Sequence, residues 1–322
     1  MKLVVRSQLP LGNRIARALE DLPFVSEVVV PADAEALYAA LPGATGLITM
    51  NSLYDAALAD ALERTPSLRW LQLLSAGFEN LAAHGVPFGV TVTNAGNGRT
   101  ANVAEHALAL ALALYRGIPV AVASQQACRW APPIAESMGT LEGARATVLG
   151  YGSIGQAIAR RLAAFDAHVV ALNRSPRQDG IVGETRPLED LDAVLAETEI
   201  LFVAVALVPE TKHLVDARRL ALMPRGARLV NIARGEVLDT DGLVDALGSG
   251  LLFGAGIDTT DPEPLPPDHP LWRAPGALVT PHLGGTETER SSERIVALAI
   301  ENARRLNAKR PLKARIASLA AQ

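Results

Sequence analysis

Short apolar runs alternate along the whole chain with stretches whose apolar residues recur every three or four positions. Residues 2–6 read as a strand, and 13–22 as a helix with Ile15, Ala18, Leu19 and Leu22 on one face. Residues 25–30 form a β-branched strand, and 32–40 a helix ended by Pro42 and Gly43. The rhythm continues with a strand at 46–50, a helix at 55–63 and a strand at 68–74 that runs into the turn Ser75-Ala76-Gly77. Strand–helix–strand alternation of this kind implies a parallel sheet with helices on both faces.

A long helix over 100–116, free of internal Gly and Pro, interrupts the pattern. A loose stretch at 128–143 follows, with Pro132, Pro133, Gly139 and Gly143. Alternation then resumes. Strands are predicted at 146–149, 168–172, 200–205, 228–232, 252–257 and 277–280. Helices are predicted at 154–165, 188–197, 216–222, 240–248 and 287–307. The fold class is α/β, with two units sharing one doubly wound architecture and no repeat of 20–50 residues. The chain's 322 residues exceed one ordinary core, which also favours two domains.

Composition narrows the partners. Hydrophobic residues make up 49% of the chain, the net charge is −4, and no dense Lys/Arg cluster occurs. Neither nucleic acid nor an anionic membrane is expected as a partner. The most apolar helical run, 107–115, is far short of the ~20 residues of a membrane span. Residues 3–5 are too short for a signal-peptide core. The single cysteine, Cys128, excludes an internal disulfide framework and fits a cytoplasmic location.

The strongest local signal is Val148-Leu-Gly-Tyr-Gly-Ser-Ile-Gly155, a G-x-G-x-x-G placed after a strand and before a helix. Gly150 permits a tight turn, Gly152 lets a pyrophosphate approach the backbone, and Gly155 lets helix and strand pack closely. Ser153, Ile154 and Gly155 open the helix, whose N-terminal amides and dipole attract phosphate. The ribose-reading position falls at the end of the next strand, at Asn173-Arg174-Ser175. An acidic residue there suits NAD. Neutral Asn173 followed by Arg174, with Arg177 nearby, favours the 2′-phosphate of NADP(H), with NAD(H) possible.

Three later segments carry candidate chemistry, each at a strand's carboxyl end, where open parallel sheets bind ligands. They are Asn231-Ile-Ala-Arg234-Gly235, Asp258 with Glu263, and Pro281-His282. An arginine suits a substrate carboxylate. A histidine suits proton delivery to a keto oxygen that gains charge as hydride arrives. A carboxylate behind the imidazole favours its charged form.

With these motifs assembled, the chain resembles the D-isomer-specific 2-hydroxyacid dehydrogenases, a family that includes glyoxylate/hydroxypyruvate reductase and phosphoglycerate dehydrogenase. The resemblance rests on 68–81, 102–110, the glycine fingerprint, 208–211 (Val-Pro-Glu-Thr), 231–235, 258–266 and 281–285. It implies two doubly wound parallel-sheet (Rossmann/flavodoxin-like) domains with a cleft between them. The substrate domain would comprise 1–99 with 285–322, and the dinucleotide domain 100–284. It implies that Arg234 anchors the substrate carboxylate, that His282 is the acid and base, and that Glu263 orients it. Ser75, Ala76 and Gly77 would offer amides to the substrate, and Asp258 would hold the nicotinamide carboxamide. Ile232 and Ala233 would lie along the ring, and the loop with Val205, Ala206 and Thr211 would pass near it. Homodimers through the helix near 100–116 are usual in the family.

Two positions depart from the family pattern: Ala206 stands where Pro is frequent, and Asn173 where an acid is usual. Glu263 speaks against formate dehydrogenase, which has Gln there. His106, beside Glu105 in mid-helix, reads as structural or at a dimer face; His84, His168, His213 and His269 read as surface residues. Cys128 reads as inert, and the loop around Trp130 matches the family poorly. No metal motif is present. A small 2-keto acid such as glyoxylate or hydroxypyruvate is the expected substrate, because few cations lie near 50–53 and 74–79 to hold a phosphate. A phosphite dehydrogenase and a dinucleotide-sensing, corepressor-like binding protein are the alternatives.

Overall fold

The computed structural model describes residues 1–8, 10–131, 135, 138–176 and 180–316. The chain divides into two units, one formed by Met1–Arg99 with the stretch from Glu287 onward, the other by Thr100–Thr286.

The first unit opens with β1 (Lys2–Val5), α1 (Pro10–Glu20), β2 (Glu27–Val29), α2 (Ala34–Ala40) and β3 (Ala44–Thr49). It continues through α3 (Ala56–Glu63), β4 (Trp70–Leu73), α4 (Glu79–His84) and β5 (Thr91–Thr93). The five strands lie in the order β2-β1-β3-β4-β5 and every pairing is parallel, the flavodoxin-like winding. Asp33 and Asp55 start α2 and α3 by accepting from the amides of Ala36 and Leu58, each at 2.8 Å. Leu71 and Leu73 of the interior strand β4 pack in one core and Trp70 in another, so both sheet faces are covered.

The second unit holds α5 (Thr100–Tyr115), α6 (Ile118–Gln126), β6 (Arg145–Leu149), α7 (Ser153–Ala163), β7 (His168–Leu172) and β8 (Glu184–Arg186). Then come α8 (Leu191–Leu195), β9 (Ile200–Val203), α9 (Ala217–Leu220), β10 (Ala227–Asn231), α10 (Thr240–Gly248), β11 (Leu252–Ile257) and β12 (Ala277–Val279). Its seven strands run β12-β11-β10-β9-β6-β7-β8, all parallel. This is a Rossmann sheet with one strand added at the β11 edge, and its order reverses between β6 and β9. α5 buries Ala104, Ala107, Leu108, Leu110, Ala111 and Leu114 within this unit. The chain returns to the first unit as α11 (Glu289–Asn307), capped by Thr288, whose hydroxyl accepts from the Ser291 amide.

Four elements lie outside the sequence pattern: α4, β5, α6 and β8. β5 (Thr-Val-Thr) and β8 (Glu-Thr-Arg) hold one apolar residue between them, so neither shows an apolar run. α6 is apolar without a face, so its pattern carries no helical period. No single helix among the described residues is long and apolar enough to cross a membrane; α5 and α6 together reach that length but bend by 66°.

The glycine fingerprint sits on the β6–α7 turn. Gly150 has φ +102, and a Cβ there would lie 2.7 Å from the Ala204 and Val205 backbone. A Cβ on Gly155 would overlap the Gly150 carbonyl oxygen. Gly155→Ala is therefore expected to cost about 1–3 kcal/mol, as overpacking does. Thermal melting followed by circular dichroism should show the loss; an unchanged melting temperature would mean that helix and turn are free to separate.

Candidate active site

Three neighbouring strands, β10, β11 and β12, present the candidate groups at their carboxyl ends. Arg234 follows β10 by three residues, Asp258 follows β11 directly, and His282 follows β12 by three. The buried Asn231 shapes the first turn. Its amide group donates to the Arg234 carbonyl at 3.1 Å and its side-chain oxygen accepts from the Ala233 amide at 3.1 Å. The side chains of Ile232 and Ala233 are buried. The half-exposed Arg234 guanidinium donates to the Ala233 carbonyl at 2.6 Å. Gly235 packs so closely on the Thr260–Asp261 backbone that any side chain would overlap it, which ties the Arg234 turn to the loop carrying Glu263.

That loop is anchored along its length. The Thr260 hydroxyl donates to the Pro262 carbonyl at 2.8 Å, Leu265 packs on the core, and the Trp272 indole donates to the Pro266 carbonyl at 2.8 Å. Glu263 and His282 meet directly, with Oε1 and Nδ1 2.7 Å apart. Both side chains remain accessible, 41% and 44% exposed. With Nδ1 engaged by the carboxylate, Nε2 is the ring atom left to exchange a proton with a ligand. Glu263, Arg234 and His282 thus lie on adjoining segments of one unit, as the strand-end reading expects.

His282 adopts φ +53, a left-handed conformation costly for a side-chain-bearing residue. Its amide donates to the Asp258 carbonyl at 2.8 Å and the Thr280 carbonyl at 2.9 Å. The next two amides, of Leu283 and Gly284, donate to the Asp258 carboxylate at 2.8 and 2.9 Å. The Thr280 hydroxyl donates to the same carboxylate at 2.6 Å, and His106 Nε2 lies 3.0 Å from it. Asp258, only 3% exposed, thereby holds the histidine turn. Thr280 and His106 carry no local sequence signal for this role. Asn231 lies inside the Asn231–Gly235 motif, but nothing in the chain's order links Asp258 to His106.

The dinucleotide positions cluster around the crossover of the Rossmann sheet. A Cβ on Gly152 would meet nothing within 4 Å, so this glycine faces open space at the start of α7. No side chain caps that helix and no acid stands in its first turn, so its positive end is available to Ser153, Ile154 and a phosphate group. Asn173 turns its amide to the Ser175 carbonyl at 3.1 Å, and Arg174 and Ser175 are exposed at the end of β7. Arg177 lies outside the described residues. Val205 is half-buried and Ala206 exposed. The Thr211 hydroxyl accepts from the Val208 amide at 2.8 Å and donates to the Ala206 carbonyl at 2.7 Å, so it shapes this loop from within. A cleared glycine, an uncapped helix start and an exposed arginine fit a dinucleotide.

In the first unit, Ser75, Ala76 and Gly77 form a turn after β4. Their carbonyls accept from the Ala95 amide, the Asn94 side chain and the Ser75 hydroxyl, each at 3.0 Å. None of their three amides donates to a protein acceptor among the described residues.

Comparisons with known proteins identify the family. Residues 108–284 match the family model described as D-isomer specific 2-hydroxyacid dehydrogenase, NAD binding domain. The chain is 33% identical to a glyoxylate reductase of Thermofilum pendens over 78% of its length and 75% of that protein. It is 30% identical to the human glyoxylate reductase/hydroxypyruvate reductase over 94% of its length and 93% of that protein. A solved structure of a D-isomer specific 2-hydroxyacid dehydrogenase from Xanthobacter autotrophicus Py2, in complex with NADPH and MES, is similar with a TM-score of 0.84 and 30% identity. That match covers 98% of this chain and 97% of the other. With its parallel sheets, its glycine turn and its Arg, Glu and His at neighbouring strand ends, the chain belongs to the D-isomer specific 2-hydroxyacid dehydrogenase family, NAD(P)-dependent oxidoreductases acting on 2-hydroxy acids.

Proposed function

We propose that this dehydrogenase interconverts a small 2-keto acid, of glyoxylate or hydroxypyruvate size, and its D-2-hydroxy acid, with NADP(H) favoured over NAD(H). The observation that carries the reading is the 2.7 Å contact between His282 Nδ1 and Glu263 Oε1, in the unit whose β6–α7 glycine turn fits a dinucleotide. The bound nicotinamide supplies the hydride that adds to the keto carbon. His282 delivers the proton from Nε2 to the keto oxygen, completing the hydroxyl, and takes it back in the reverse direction. Glu263 holds the ring and balances its charge. Arg234 is assigned to the substrate carboxylate through its two-pronged donor face, and the amides of Ser75, Ala76 and Gly77 are assigned to the same acid. Asp258 retains one acceptor position on Oδ2 beyond the Gly284 amide, which suits the nicotinamide carboxamide. Ile232 and Ala233 are assigned to the ring face, and Val205, Ala206 and Thr211 to the loop beside it. The human and Thermofilum relatives carry glyoxylate in their names, which supports the substrate class. The lone cysteine supports a cytoplasmic location.

Oxidation of NADPH should be seen spectrophotometrically with glyoxylate or hydroxypyruvate. His282→Ala should lower kcat by about 100-fold or more, in line with loss of a general acid, while cofactor affinity holds. Near wild-type turnover in that variant would remove His282 from the role.

Exposed Arg174, with no carboxylate at Asn173, supports the NADP(H) preference. Arg174→Asp should lower kcat/KM for NADPH by about tenfold or more relative to NADH, the order of one charge-assisted contact. A wild-type enzyme already preferring NADH would refute this preference.

A homodimer is proposed through the second unit. Leu108, Leu110 and Leu114 of α5 are buried inside that unit, whereas Ile118, Val120 and Val122 of α6 are about half exposed and Trp130 is 94% exposed. Such a patch suits a second copy of the chain. Light scattering after gel filtration should give a dimer for the wild type and a monomer for Val120→Asp; a wild-type monomer would exclude it.

A further inference from the structure

His106 stands in the middle of α5 and reaches the histidine turn from an element more than a hundred residues away in sequence. Its Nε2 lies 3.0 Å from the Asp258 carboxylate and 2.9 Å from the Thr280 hydroxyl. The hydrogen inventory of this cluster has one solution. A carboxylate only accepts, and the single hydroxyl hydrogen of Thr280 is committed to Asp258 at 2.6 Å. Nε2 therefore carries hydrogen and donates. Asp258 accepts hydrogen bonds from the Thr280 hydroxyl and the Leu283 and Gly284 amides, while His106 Nε2 donates to the Thr280 oxygen and stands 3.0 Å from Asp258 Oδ1. All three donors belong to the stretch that Asp258 must hold, and His106 braces Thr280 and the carboxylate from outside it. The ring also touches the turn, since a Cβ on Gly284 would lie 3.4 Å from His106 Cδ2 and 2.9 Å from Asp258 Oδ2.

We propose that His106 is a positioning residue for His282, acting through Asp258 and Thr280. Its Nε2–H fixes the Thr280 oxygen, so that the Thr280 hydroxyl hydrogen points at the Asp258 carboxylate. Asp258, so fixed, keeps the amides of Leu283 and Gly284 in place and His282 in its left-handed conformation. Without that donor the Thr280 hydroxyl can turn away from Asp258, which loosens the carboxylate's hold on the turn and the alignment of the imidazole with Glu263. A misplacement of about 1 Å at a reacting group costs up to about 100-fold in rate. The inference rests on His282 as the acid and base of the proposed reaction.

The test compares His106→Leu, which keeps bulk without a donor, with His106→Gln, whose amide nitrogen restores an N–H at nearly the Nε2 position. His106→Leu should lower kcat by about 10- to 100-fold, and His106→Gln should recover most of it. Binding of ADP-ribose, which lacks the nicotinamide, should be unchanged in both. A Leu variant with wild-type kcat, or a Gln variant no better than the Leu variant, would overturn the proposal. Should the Leu variant not fold, imidazole ¹⁵N spectra of the wild-type protein decide: His106 must carry hydrogen on Nε2, and the opposite tautomer overturns the proposal. His282→Ala, run in parallel, separates the two claims. If it stays active, the acid–base reading fails; if it is inactive while His106→Leu is fully active, only the positioning role fails.

Discussion

The chemistry of the second unit depends on the capture of the Asp258 carboxylate by consecutive backbone amides. The left-handed conformation of His282 costs roughly 1–2 kcal/mol. It also turns the Leu283 and Gly284 amides toward one point, forming a small concavity for an anion. Hydrogen bonds to a charged group contribute about 1.5–3 kcal/mol each, so two of them outweigh the strain. The imidazole is thus aimed by backbone geometry, and Glu263 engages a ring already in place. A buried carboxylate holding backbone amides is also a less yielding support than a surface ion pair would be.

A second constraint is the approach of backbone to backbone. Gly155 rests on the Gly150 carbonyl and Gly235 on Thr260–Asp261, both too close for any side chain. The first contact joins the start of α7 to β6, so the helix dipole points over the turn. The second joins the Arg234 turn to the Glu263 loop. Gly152, by contrast, meets nothing within 4 Å. Close contact on one side and open space on the other define where a phosphate fits. A solved structure only 30% identical keeps the same fold, with a TM-score of 0.84.

The first unit carries the other half of the proposed chemistry in a simpler way. The turn after β4 spends its carbonyls on Ala95, Asn94 and Ser75 and leaves three amides without protein acceptors. Amides left in this state call for water or a ligand. The parallel sheet below supplies the rigidity, with both faces of β4 buried.

Much of this was legible from the order of residues. The alternation of apolar runs and helical spacing located most strands of both sheets, because buried parallel strands need continuous apolar stretches. The glycine fingerprint announced itself because each glycine answers a local steric need. Arg234, Glu263 and His282 were legible as strand-end residues. The three-residue strands β5 and β8 were not, since pairing partners rather than their own pattern make them strands. Nor was the faceless helix α6. The left-handed backbone of His282, the reach of His106 to Asp258 and the close packing of Gly235 came only from tertiary structure. They are contacts between segments from 22 to more than 150 residues apart, and local periodicity has no access to such distances.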